Sequence, residues 1–188
     1  MEDTLTLCAT ARLAQALRGE VVAGNVSWRT PRALTVSQWL AMLAEEARLT
    51  GTDDLALALE PYGERVLWEK VIAPSLPASD FFDLAGLAAT AAEAHALCRT
   101  WNLAPGGDAL SDEARLFSGW QAAFERHCRA DDFFDAAGIE RRIVALLEDG
   151  AFTLPGVVAL AGFDRMTPLE TRLASALAAR GCRVEILP

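Results

Sequence analysis

The sequence predicts an α/β fold in which a small parallel sheet is interrupted by a large all-helical insertion. Runs that favour β-strands alternate with helical patterns in residues 1–53 and again in residues 156–188. Between them, in residues 54–155, helical spacing replaces that alternation, and Gly and Pro cluster between long segments. Because strands joined by helical crossovers lie parallel in one sheet, we expect the two ends to form a single discontinuous core around the insertion.

The sequence of the N-terminal part of the core predicts secondary-structure elements in the order strand, helix, strand, helix. Residues 4–8 form a short β-prone run, and Thr10 suits the N-cap of the helix that follows. A second β-prone run covers residues 33–36. It gives way at Ser37 to a helix that ends at Gly51, where glycine provides the usual C-terminal stop.

The sequence of the insertion predicts four or five helices. The clearest runs from about residue 81 to residue 101, where apolar and small residues follow steps of three and four. The predicted buried stripe of that helix is Leu84, Leu87, Ala91, Ala94, Cys98 and Trp101. Further helices are marked by Leu116, Trp120 and Phe124, and then by Ile139, Ile143, Leu146 and Leu147.

A ten-residue echo occurs within the insertion, because residues 78–87 resemble residues 130–139. The similarity is too short for a solenoid repeat, so both copies are predicted to be helix starts with aspartates near the positive end of the helix dipole. A metal cluster of Asp131, Asp132 and Asp135 is the less favoured alternative.

The C-terminal part of the core returns to alternating strands and helices. Residues 157–161 are a continuous apolar run, typical of a strand that is covered on both faces. Thr167, Pro168 and Glu170 combine three helix-start signals, and a last strand covers residues 182–187. The sequence stops directly after that strand, so we expect the remainder of a longer polypeptide as a partner.

The negative charge of the chain is concentrated in its middle. The net charge is −9, whereas residues 51–155 alone hold eight basic and eighteen acidic groups. Such a segment repels a phosphate backbone, which makes it a poor surface for DNA. A solvated acidic face is the ordinary explanation, and docking of a basic partner protein is the alternative.

Cysteine spacing and hydropathy exclude several classes of protein. The four cysteines are scattered without a C-x-x-C pair and there are only two histidines, so reduced thiols are favoured over a zinc site and no metal is predicted. No apolar run approaches the roughly 20 residues of a membrane helix. The N-terminus also lacks the basic start of a secretory signal, so we expect a cytoplasmic protein with no membrane partner.

Three segments resemble known DNA repair proteins. Residues 160–170, LAGFDRMTPLE, look like the G-F-x-x-x-T-P-x-E segment of AddB-type proteins, which are helicase-like subunits fused to a RecB-family, PD-(D/E)XK nuclease. Residues 7–14 and 31–40 are similar to the opening of a proteobacterial group of probable DNA repair proteins. The resemblance implies a P-loop-NTPase-like sheet, as in superfamily 1 helicases. It also implies a role in DNA repair and recombination, and as partners a second helicase-like domain, a nuclease, DNA and a helicase subunit.

The motifs of an active helicase are degenerate in this sequence. A phosphate-binding loop needs a Gly-rich turn and a lysine, but its position holds only Cys8, Ala9 and Thr10, and the sole lysine is distant. Where a helicase has its acidic pair, this chain has Gly162 and Phe163, and Asp164 follows one position late. Both positions are therefore predicted to be vestigial, and no catalytic residue and no nucleotide cofactor are expected.

Other roles remain open for individual side chains. Asp164 follows an apolar strand, as functional residues often do, and an unrelated enzyme using it, His95 or Cys8 is a weak alternative. Possible DNA contacts come from the arginines that flank the α/β segments. These are Arg12, Arg29, Arg32 and Arg165, and they are predicted to lie near one edge of the sheet.

Overall fold

The computed structural model describes residues 4–20, 32–53, 57–77, 83–103, 111–131 and 133–187. Arg29 and Asp132 lie outside these ranges. The elements in chain order are β1 (Thr4–Cys8), α1 (Ala11–Glu20), β2 (Arg32–Thr35), α2 (Val36–Thr50), β3 (Leu57–Ala58), α3 (Pro61–Ile72), a 3-10 turn (Ala73–Ser75), α4 (Leu84–Trp101), α5 (Asp112–Ala130), β4 (Phe133–Phe134), α6 (Ala136–Glu148), β5 (Val157–Ala161), α7 (Pro168–Ala179) and β6 (Arg183–Leu187). Within these ranges no helix is both long and apolar enough to cross a bilayer.

The chain divides into two compact units. The α/β unit contains Met1–Leu55 and Glu140–Pro188, and the helical unit contains Ala56–Ile139. The division falls within α6, whereas the sequence boundaries were residues 53 and 156. The second half of α6 belongs to the α/β unit, and its apolar residues Ile143, Val144 and Leu147 are fully buried.

The main sheet has four parallel strands in the order β2-β1-β5-β6. Numbered within the sheet this order is 2-1-3-4, the beginning of one of the common doubly wound arrangements. The prediction of an α/β fold with a small parallel sheet is therefore confirmed. The crossover from β1 runs to one side and the crossover from β5 to the other, so right-handed connections put α1 and α7 on opposite faces. The order of the strands reverses between β1 and β5.

Both central strands are buried. All five residues of β5 are buried, as the continuous apolar run predicted. In β1, Leu5 and Leu7 face one side, while Cys8 faces the other, where it packs with Ala14 of α1 and with Leu13 and Leu17 beside it. Alternation along β1 thus supplies contacts to both helical layers.

Helix caps fix where each element of the α/β unit begins and ends. The helix α2 begins at Val36, one residue before the predicted start at Ser37, and its N-cap is Thr35. The Thr35 N–H donates to Oε1 of Gln38, and the Gln38 N–H donates to the Thr35 hydroxyl, which completes a capping box. Gly51 ends α2 in the left-handed conformation (φ 67°), as predicted. The predicted capping box of Thr167 and Glu170 at α7 is confirmed.

The helical unit contains more than helices. β3 and β4 pair in parallel over two residues each, which corrects the prediction of an all-helical insertion. The buried residues of α4 are Ala88, Ala91 and His95, so the predicted stripe is rotated and Trp101 lies at the surface. The helix is apolar on most of its circumference, and therefore spacing alone did not identify the buried side. Its core contacts are Trp68, Ile72 and Phe124.

The ten-residue echo contains two equivalent helix caps, as predicted. Asp83 caps α4 by accepting from the Gly86 N–H (3.0 Å), and Asp135 caps α6 by accepting from the Gly138 N–H (2.8 Å). A Cβ atom at either glycine would lie 2.5–2.6 Å from the carboxylate of its own cap. The shared D-x-x-G pattern therefore follows from local geometry.

Gly162, directly after β5, is under a tighter constraint than most turn glycines. Its φ is 72°, and a Cβ there would lie 2.7 Å from Cδ2 of Leu13 in α1. Gly181 has a φ of 86° but open space around it. We expect Gly181→Ala to cost about 1–2 kcal/mol of unfolding free energy from backbone conformation, and Gly162→Ala to cost more. Urea denaturation of both variants measures the difference.

The Leu13 contact accounts for that difference. In a protein that already carries Leu13→Ala, Gly162→Ala should therefore lower the unfolding free energy by no more than Gly181→Ala does. A Gly162→Ala protein that is no less stable than the Gly181→Ala protein would contradict the close approach of α1 to this turn.

Candidate functional site

The first candidate site is the carboxyl edge of the sheet between β1 and β5. In open parallel sheets ligands bind at the point where the strand order reverses, because the loops there diverge to opposite faces. The loops that meet here are residues 9–10 after β1 and residues 162–167 after β5. They contain both of the vestigial motif positions predicted from the sequence.

The polar groups after β1 are used within the protein. Two residues connect β1 to α1. The N–H of Ala9 donates to the carbonyl of Ala161 (3.0 Å), and the hydroxyl of Thr10 accepts from the N–H of Leu13 (3.2 Å) as the predicted N-cap. Burial raises the pKa of the Cys8 thiol against a smaller opposing effect of Arg18. A buried thiol with a raised pKa is a poor nucleophile.

The loop after β5 also makes its contacts and hydrogen bonds within the protein. Gly162 turns the chain against Leu13, and Asp164 is exposed. At the end of the loop the Thr167 hydroxyl and the Glu170 carboxylate satisfy each other's backbone N–H groups at 3.2 and 2.7 Å. Among the described residues no cluster of three or more His, Cys, Asp and Glu side chains is arranged to hold a metal ion.

The predicted DNA-contacting arginines do not all lie together. Arg12 lies in the first turn of α1 and Arg165 follows β5, so both lie at the carboxyl edge of the sheet. Arg32 begins β2, opposite Leu5 of β1, and therefore lies toward the amino edge. All three are exposed. Arg29 is outside the described residues.

The second candidate site is a buried polar network in the helical unit. His95 of α4 is 2% exposed. Its Nε2 lies 3.0 Å from Oδ2 of Asp135, and its Nδ1 lies 3.1 Å from the Gln121 amide nitrogen. Because the amide nitrogen can only donate, this arrangement leaves the proton of the neutral ring on Nε2, where Asp135 accepts it. Sequence reasoning considered His95 and Asp135 separately, and no local pattern joins residues that are 40 positions apart.

Aromatic rings enclose this network. Trp68 and Phe124 stack with their centroids 4.2 Å apart, and each meets the His95 ring edge-on, at 5.5 and 5.3 Å. Arg99 lies 3.5 Å from Oδ1 of Asp135 and 3.8 Å from Glu125. A cavity of about 110 Å³ lies beside the network and is lined by Cys128 and Phe133 among others.

The charges around the cavity oppose reactive chemistry. Burial, together with the carboxylates of Asp135 and Glu64, raises the pKa of Cys128 to about 11. Burial raises the pKa of Asp135, but the hydrogen bond from His95 and the charge of Arg99 outweigh it, so the net shift is downward. Asp135 therefore remains a charged acceptor engaged by His95, Arg99 and the α6 N-terminus. The network holds α4, α5 and the start of α6 together.

No protein-family model matches the chain, and no curated protein matches it. Its function is therefore inferred from its residues and their geometry.

Removing the Asp135 carboxylate should destabilise the protein far more than removing its counterpart Asp83. Asp83→Ala loses a cap that is worth about 1 kcal/mol. Asp135→Ala loses the same kind of cap and also leaves the His95 N–H buried without an acceptor, for a total of about 2–4 kcal/mol. Urea denaturation at neutral pH compares the two variants, and equal losses would mean that His95 gains nothing from Asp135.

The Asp135 contribution should also depend on pH. Because folding lowers the pKa of this carboxyl, its stabilisation is present above the unfolded pKa of about 4 and is lost as pH falls through the folded pKa. The difference in unfolding free energy between wild type and Asp135→Asn should therefore shrink as pH drops below about 4. A difference that is independent of pH down to acid unfolding would contradict a lowered pKa.

Proposed function

We propose that this chain is a non-catalytic, helicase-like domain of an AddB-type DNA repair protein, in which it acts as a scaffold or as a DNA-facing shell. The observation that carries the proposal is that several polar groups at the β1–β5 edge that could bind a nucleotide are hydrogen-bonded within the protein. The Ala9 N–H bonds to β5, and the hydroxyls of Thr10 and Thr167 cap helices. The strands and helix caps are intact, whereas these polar groups are bonded within the protein. This combination suits a structural role.

The likeness to helicases also has a topological basis. A parallel sheet whose second and third strands are separated by a separate helical unit agrees with the layout implied by the LAGFDRMTPLE segment. The P-loop-like character of the sheet is part of this proposal. In a repair enzyme such a domain would hold a second helicase-like domain and a nuclease in place while other subunits use ATP.

A second candidate is a stand-alone module that binds a basic partner protein. Exposed apolar side chains near the end of α4 favour it, since Leu97 and Leu103 are each 58% exposed in a unit from the acidic part of the chain. The two candidates differ in the size of the native polypeptide. An antibody against this domain should detect a protein of several hundred further residues for the repair enzyme, and a protein of about 20.2 kDa for the module.

Mg-ATP should not stabilise the protein, because a ligand raises the unfolding temperature only if the folded state binds it. Thr10→Ala should lower stability by about 1 kcal/mol through loss of the α1 cap, and Thr167→Ala provides the matched loss at α7. Thermal unfolding with and without Mg-ATP tests all three proteins. A magnesium-dependent stabilisation by ATP that Thr10→Ala abolishes would contradict a non-catalytic domain.

DNA binding distinguishes the shell from the scaffold. If the carboxyl edge contacts DNA, the double variant Arg12→Gln, Arg165→Gln should weaken binding and reduce the slope of log affinity against log salt by up to about 2. Arg32→Gln, toward the amino edge, is the control. Titration of single-stranded and duplex DNA at two salt concentrations provides the measurement, and binding that is absent or insensitive to salt would leave the scaffold role alone.

A further inference from the structure

The strand β6 forms one edge of the main sheet, and it is the least covered strand of that sheet. Among the described residues it pairs with β5 alone. Four of its five residues are exposed, whereas all five residues of β5 are buried. Ile186 is 74% exposed and Leu187 is 40% exposed. Strands of an all-parallel sheet are normally covered, so this edge has the properties of a pairing surface.

The backbone of β6 determines which residues a further strand would meet. The N–H of Arg183 donates to the carbonyl of Gly156 (2.9 Å), so Arg183, Glu185 and Leu187 direct their backbone groups toward β5. Because direction alternates along a strand, Val184 and Ile186 direct theirs away from β5. The N–H of Cys182 is already bonded to the carbonyl of Leu177 (3.0 Å), which leaves the Cys182 carbonyl for an outside donor.

We propose that β6 pairs antiparallel with β6 of a second copy of this chain, about a two-fold axis at Val184. In this register Val184 lies opposite its own counterpart and exchanges two hydrogen bonds with it. The N–H of Ile186 meets the Cys182 carbonyl of the other copy, and the exposed Ile186 side chain is covered. The proposal does not rest on the proposed repair function.

Side-chain charge favours this register over one with the two-fold axis at Glu185, which the backbone also permits. Arg183 and Glu185 lie on the same face of β6 and pair with each other at 2.9 Å. An axis at Val184 sets Arg183 opposite Glu185 of the other copy in both halves of the interface, which alternates the four charges. An axis at Glu185 would instead set the two Glu185 side chains directly opposite each other, and like charges at that position destabilise a strand pair. Charged residues on an edge strand discourage pairing with unrelated strands. On β6, however, the basic and acidic positions of one copy match the acidic and basic positions of the second copy.

Charge reversal at the two positions separates this pairing from a general effect on folding. Arg183→Glu and Glu185→Arg each remove the internal ion pair and set like charges across the interface, so each should weaken dimerisation by about tenfold or more. An equimolar mixture of the two single variants should form a heterodimer, because each charge then meets its opposite. The double variant restores both kinds of pair and should dimerise like the wild type. Arg48→Glu on α2 makes the same change in net charge as Arg183→Glu and should leave dimerisation unchanged.

Sedimentation velocity from micromolar to near-millimolar concentration, with one variant carrying a fluorescent label in the mixture, measures these equilibria. The expected result is a concentration-dependent dimer for the wild type, monomers for the single variants and a labelled heterodimer for their mixture. A wild-type protein that stays monomeric at every concentration would overturn the proposal. A dimer that survives in both single variants would also overturn it, since the interface would then lie elsewhere.

Discussion

The direct pairing of β1 with β5 is the constraint on which the rest of the structure depends. These strands come from opposite parts of the chain, yet they lie side by side in register from Thr4 with Val157 to Cys8 with Ala161. Because they are parallel, the chain must cross back between β2 and β5, and the whole helical unit lies within that crossover. The same pairing leaves β2 and β6 as edges and creates the reversal of strand order between β1 and β5.

The site at that reversal has the position of a ligand site, but several of its polar groups are already bonded within the protein. Backbone N–H groups and hydroxyls that often bind phosphate are bonded here to β5 or to the first turns of α1 and α7. Gly162 then brings the β5 loop close to Leu13, whose Cδ2 lies 2.7 Å from the position that a Cβ atom would take. These internal hydrogen bonds stabilise the fold, because the bonded groups keep partners when no ligand is present. This property suits a domain that is retained for shape.

The helical unit uses polar groups in a different way. Its core combines apolar packing of Trp68 and Phe124 with the His95, Gln121 and Asp135 network. Each buried polar side chain of that network has a defined partner, and such networks specify one arrangement of helices more narrowly than apolar contacts do. The two D-x-x-G caps have the same local geometry in different surroundings, since Asp83 is exposed whereas Asp135 is buried.

Much of the α/β unit could be predicted from sequence because its signals are local. The apolar run of β5, the Thr167 capping box and the glycine at the end of α2 each depend on a few adjacent residues. The helix α2 begins one residue before the predicted start at Ser37, because the capping box of Thr35 with Gln38 sets the N-cap at Thr35. Long-range features had no such signal. The buried face of α4 depends on where α3 and α5 pack, and the His95–Asp135 bond depends on the path of the intervening chain.

The central claim is that the β1–β5 edge does not bind a nucleotide, because its Ala9 N–H and its Thr10 and Thr167 hydroxyls are bonded within the protein. Hydrogen exchange of the backbone amides at residues 9–13 and 162–167, with and without Mg-ATP, tests it most directly. The Ala9 amide should exchange slowly in the free protein because it is bonded to Ala161, and Mg-ATP should change none of these rates. Rapid exchange at Ala9 in the free protein, or protection of either loop by Mg-ATP, would contradict the account.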